Sequence, residues 1–118
     1  MTMHDAPDAA GLIEAVREYL ERDVMAATEG RVQFHARVAA RVLAMVEREL
    51  RIGGELEAAH EARLAAFGLR TDEDLALAIR DGSLDDRYDE VKAAVRASVV
   101  DKLVIANPTY LDPDDRPD

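Results

Sequence analysis

Residues 31–52, RVQFHARVAARVLAMVERELRI, contain neither glycine nor proline, and their apolar side chains recur with the period of an α-helix. Phe34, Val38, Val42, Val46 and Leu50 stand four apart. Ala39, Leu43 and Met45 widen them into an arc of roughly 180° on the helical wheel. One neighbouring helix cannot cover such an arc. The spacing therefore predicts a central helix packed by at least two others and stopped at Gly53-Gly54.

The rest of the chain reads as helices arranged around it. Asp8 is a candidate N-cap for a helix over 9–28, whose Leu12, Ile13, Val16, Leu20 and Val24 form a stripe of roughly 120°. Gly30 ends it. A third helix, 55–67, is alanine-rich and closes at Gly68. Thr71 caps a short fourth with Asp72, Glu73 and Asp74 in the first turn and Arg80 in the last, and Asp81-Gly82-Ser83 breaks it. A fifth, 86–106, puts Tyr88, Val91, Val95, Val99 and Leu103 on one face and must stop at Asn107-Pro108. The expected fold is all-α, an antiparallel bundle of three long and two short helices. Residues 9–111 form one domain, between a mobile N-terminus (1–8) and a disordered acidic tail (112–118).

Composition agrees with helices and removes several chemistries. Alanine, the best helix former, accounts for 21 of 118 residues, and only five residues are aromatic. The absence of cysteine rules out disulfides and thiolate metal sites and leans towards a reducing cytoplasm. Met1 to Gly11 lacks the basic and apolar regions of a signal peptide, and no apolar run is long enough for a transmembrane helix. A net charge of −10 argues against a nucleic-acid partner.

No catalytic set emerges. Gly53-Gly54 leads into Glu55 without the Gly-Lys-Ser/Thr of a phosphate loop. His4, His35 and His60 are far apart and form no metal motif. His4 falls in the mobile N-terminus and His60 on a solvated face. His35 lies near the centre of the apolar arc, as a core or interface histidine would. Ser83 and Ser98 lack a nucleophile elbow, and the many acid pairs read as solvated faces. Asn107-Pro108-Thr109-Tyr110 reads as a helix stop after which Tyr110 and Leu111 fold back on the bundle.

The arginines of the central helix stand out. Residues 31–52 carry five arginines against two glutamates in an otherwise acidic chain. Arg37, Arg41 and Arg48 fall within about 40° of one another, at the edge of the apolar arc beside Phe34 and Met45. Either they pair with acids of neighbouring helices, or the stripe binds a partner protein or an anionic group, which arginine's planar fork suits.

FHARVAARVLAMVEREL at 34–50 and VVDKLVIANPTYL at 99–111 together resemble a bacterial family of small all-helical proteins. Its members are commonly encoded beside acyl-CoA dehydrogenases and aminoglycoside-phosphotransferase-like kinases. One branch is similar to the small companion subunit of a 4-hydroxyacyl-CoA kinase, whose large protein holds the ATP site. Phe34, Arg37, Val38, Ala39, Asn107, Pro108 and Tyr110 match the family pattern. Arg41 departs from it, since other members often carry asparagine there, so Arg37 is the better candidate for a shared role.

The resemblance implies a non-catalytic accessory subunit without cofactor or metal, cytoplasmic, bound to such a kinase through Arg37, Arg41, Arg48, His35 and Tyr110. Two rivals remain. One is a module in which Arg37, Arg41 and His35 cradle the phosphates of an acyl-CoA. The other is a homo-oligomer with Phe34 and Met45 at a two-fold interface.

Overall fold

The structure, a computed structural model, describes residues 7–117. His4 and the rest of the N-terminus to residue 6 lie outside the described residues, as does Asp118. Among the described residues every regular element is helical, so the chain is all-α. It divides into two compact units, residues 1–53 and 54–118.

In the first unit, α1 (Ala9–Tyr19) continues through a π-helical turn, Leu20–Val24, into a last α-turn, Met25–Ala27. Asp8 caps it as expected, accepting from the Gly11 N–H at 2.8 Å. α2 (Gly30–Ala65) follows at once. The connection is held by Gln33, whose amide donates to the carbonyls of Met25 at 3.0 Å and Thr28 at 3.1 Å. Gly30 takes the left-handed conformation that lets the chain turn between the helices, with φ +66°.

The helix stop expected at Gly53-Gly54 is absent. Residues 31–52 and 55–67 belong largely to one helix of 36 residues, so the division into three long and two short helices does not hold. Glycine inside a helix costs only about 1 kcal/mol against alanine, and the strong helix formers on both sides outweigh it. A Cβ on Gly54 would meet no atom within 4 Å. Gly54→Ala is accordingly expected to stabilise the chain by about 0.5–1 kcal/mol, read as a raised midpoint in thermal unfolding by circular dichroism.

Antiparallel pairing of α1 and α2 follows from two ion pairs. Arg17 Nε donates to Glu47 Oε2 at 2.8 Å, and Arg51 Nη2 donates to Glu14 Oε2 at 2.8 Å. Arg17 holds the Glu47 carboxyl below its ordinary range, and Glu47 with Glu21 keeps the Arg17 guanidinium above its own. A depressed carboxylate pKa contributes stability above the unfolded value and loses it as pH falls through the folded one. Acid titration should therefore weaken the chain below about pH 4.3, the unperturbed value for glutamate. Glu47→Gln should flatten that acid limb of the midpoint-versus-pH curve.

The two helices meet on the alanine side of α2. Ala10, Ala36 and Ala40 are the buried apolar side chains of this unit. Ala36 and Ala40 lie about 160° around the wheel from Val38 and Val42. Most of the arc that periodicity assigns to the centre of a bundle, from Phe34 and Met45 to Val46 and Leu50, is thus exposed, while Ala39 and Leu43 at its other side are half-buried.

In the second unit, residues 54–65 of α2 are followed by α3 (Asp72–Arg80) and α4 (Tyr88–Ala106). Gly68, with φ +73°, closes α2 in a Schellman motif, its N–H reaching the Ala65 carbonyl and that of Leu69 the Leu64 carbonyl. Thr71 and Asp74 form a reciprocal capping box at the start of α3. Leu64, Ala78, Val91, Val104 and Leu111 are buried. α4 ends before Pro108, and Leu111 folds inward while Tyr110 stays 76% exposed. Beyond it the acidic tail forms a short turn, Pro113–Asp115. Asp115 pairs with Arg96 at 2.8 Å, and Arg116 Nε donates to the Leu111 carbonyl at 2.9 Å.

Candidate functional site

An uninterrupted ridge of large apolar side chains runs along α2 in the first unit. Phe34, Val38, Val42, Val46 and Leu50 follow one another at every fourth position, and each is between 38% and 56% exposed. Rows of this kind seat in the grooves of a facing helix. Sixteen residues at a rise of 1.5 Å give the ridge a length of about 24 Å. Met45 and Val32 widen it, and α1 adds Leu12, Val16 and Tyr19, all at least half exposed. Apolar surface on this scale marks a contact site, because monomeric proteins rarely leave it bare.

Arg37 and Arg41 rim this ridge. Neither meets an acid among the described residues, whereas Arg17, Arg51 and Arg63 do. Of the two destinations open to the stripe, internal pairing is thus not what Arg37 and Arg41 adopt. Arg48 lies on the same flank, half-buried. His35 is exposed rather than held in a core, with its ring edge-on to Phe34 at a centroid distance of 5.5 Å. It lines a shallow apolar hollow with Leu20, Val24, Val32 and Ala39. Tyr110 belongs to the second unit, on the 3-10 turn Pro108–Tyr110.

Charge is divided unequally between the units. Residues 1–53 hold seven basic and nine acidic side chains, and residues 54–118 hold eight and sixteen. The net charge is therefore −2 in the first unit and −8 in the second. The half with the apolar ridge is close to neutral, the condition in which a surface associates most readily.

Sequence reasoning placed His60 on a solvated face, and here the structure differs. His60 is half-buried between three helices, with Nε2 2.6 Å from Asp72 Oδ1 and Nδ1 2.8 Å from Ser98 Oγ. A carboxylate can only accept, so Nε2 carries the proton; a neutral ring then takes the Ser98 hydroxyl proton at Nδ1. Arg63 Nη1 donates to Ser98 Oγ at 3.0 Å, and its Nη2 to Asp101 Oδ2 at 2.8 Å. No sequence signal joins His60 to a serine 38 positions away in another helix.

The cluster contains a hydroxyl, an imidazole and a carboxylate in series, yet it lacks the surroundings of a nucleophile. Ser98 lies inside α4, where backbone N–H groups are committed to the helix and offer no oxyanion donors. Arg63 also occupies one of the two lone pairs of the Ser98 oxygen, which lowers its nucleophilicity. The arrangement is suited to fastening α2, α3 and α4 together. Among the described residues no group of three or more histidines or acids is placed to hold a metal ion, and no helix is long and apolar enough to cross a membrane.

Fold and site together define an all-helical protein whose most distinctive surface is an uncovered apolar ridge flanked by arginines. Residues 26–110 match a family described as Domain of unknown function (DUF6285), and the chain belongs to that family. No curated protein and no solved structure matches it.

Proposed function

We propose that this chain is a non-catalytic interaction subunit that docks on a partner protein through the ridge of α2. One observation carries the reading. In residues 7–53 the buried apolar side chains are alanines, while ten larger ones, from Leu12 to Leu50, remain exposed. Covering the exposed half of such a side chain contributes on the order of 1 kcal/mol. Ten of them supply on the order of 10 kcal/mol, the scale needed to offset the entropy of association.

The flanking arginines suit a partner with acidic groups at the rim of its groove. Rim charges of this kind govern association rate and partner choice more than affinity. The resemblance of 34–50 and 99–111 points to an aminoglycoside-phosphotransferase-like kinase acting on acyl-CoA derivatives as the partner. Such a kinase holds the nucleotide and the chemistry, and this chain completes or stabilises it.

Co-expression with the kinase encoded beside it, followed by size-exclusion chromatography, tests the reading. Co-elution with kinase activity dependent on this chain is expected. Separate elution with activity unchanged in its absence overturns it.

A further inference from the structure

The second unit holds a cleft of about 460 Å³ between residues 60–67, at the end of α2, and α3 and α4. Its volume is that of a small-molecule site rather than a packing defect. The lining is ordered by polarity along each helix. His60 and Arg63 precede Leu64 on α2 and Phe67 just beyond it, Asp72 precedes Leu75 and Ile79 on α3, and Val91 and Val95 precede Ser98, Val99 and Lys102 on α4. His60 contacts both Asp72 and Ser98, which brings the polar ends together, and Arg87 stacks on Phe67 at 4.6 Å beside the start of α4. The cleft thus has a polar head and an apolar body. From His60 to Phe67, seven residues at 1.5 Å give it a length of about 10 Å.

Hydrogen-bonding capacity at the head bears on which chemical group it accommodates. Asp72 already accepts from His60, and Asp101 from Arg63. Arg63 still has unused N–H groups, and among the described residues the Lys102 ammonium meets no acid. Asp72 and Asp101 keep further lone pairs, but each already faces a donor. An unpartnered cationic donor such as Lys102 calls for a ligand head that accepts. Val95, Val99 and Ile79, each at least 38% exposed, would be covered by its tail. Two of the unit's negative charges lie at the head, Asp72 beside His60 and Asp101 on Arg63, so the charge left to attract an anion there is that of Lys102. The remaining acids act at longer range, where salt with a Debye length of about 8 Å screens them.

We infer that this cleft binds a medium-chain aliphatic monocarboxylate, its carboxylate at Lys102 and Arg63 and its chain along Leu64, Phe67 and Val95. The inference does not depend on the subunit reading, since every residue involved lies in the second unit.

Titration calorimetry of the full chain with octanoate, octanol and acetate tests it. Octanoate is expected to bind at one per chain and acetate not to bind. Lys102→Met should weaken octanoate about tenfold, the loss of one charged hydrogen bond, and leave octanol unchanged. Ala94→Phe, which fills the cleft, should abolish both. Lys102 is exposed, so its replacement leaves the fold intact, and far-ultraviolet circular dichroism checks this. Three results would each overturn the inference: no heat with octanoate, acetate binding as well as octanoate, or an octanoate-to-octanol ratio unmoved by Lys102→Met.

Discussion

Val42→Asp is expected to weaken capture of the partner at least about a hundredfold while leaving the helicity of the isolated chain unchanged. Val42 stands at the middle of the α2 ridge and is half exposed, so a carboxylate there is solvated when the chain is alone. Once the ridge is covered, the same carboxylate is buried without a cation, a penalty of about 3 kcal/mol or more. Val42→Ala removes only part of a side chain and should cost well under tenfold. Arg37→Ala at the rim should instead slow association and reduce its dependence on salt. Pull-down followed by surface plasmon resonance at two ionic strengths separates the three. Undiminished binding by Val42→Asp would remove the ridge from consideration as the docking face.

Leu64→Ala should destabilise the chain by about 2–3 kcal/mol, and the thermal midpoint should fall by roughly 10 °C. Leu64 is 4% exposed and its carbonyl accepts the Leu69 N–H of the cap that ends α2. It is also a wall of the cleft in the second unit. Part of the space left by truncation is therefore continuous with solvent, which keeps the cost towards the low end of the range for a buried leucine. Leu64→Met, which conserves volume, should cost under about 1.5 kcal/mol. Equal midpoints for Leu64→Ala and the unaltered chain would show that residues 54–118 are not packed around this side chain.

Local signals in the sequence carried the helix ends. Asp8, the Thr71–Asp74 box and the Asn107-Pro108 stop all act within a few residues of themselves, so each was legible without neighbours. The glycines were legible only in part. Gly30, Gly68 and Gly82 adopt positive φ and break the helices where expected, while Gly53-Gly54 continues a helix. Both choices cost little, and the flanking residues decide between them.

The candidate site divides along similar lines. Periodicity located the apolar arc of α2 and the arginines at its edge, because both are properties of one helix. It could not say what covers them. Close approach of α1 is governed by small side chains, so the packed side became Ala36 and Ala40 and the larger residues were left facing outward. Spacing puts His35 in a core or at an interface and His60 on a solvated face; in the structure His35 is exposed, which leaves the interface, and His60 is half-buried. A single helix specifies where its apolar stripe lies from its own spacing. Which stripe is filled, which histidine finds a serine in another helix and where a cleft remains open depend on contacts between segments far apart in the chain, and spacing along one helix contains no record of them.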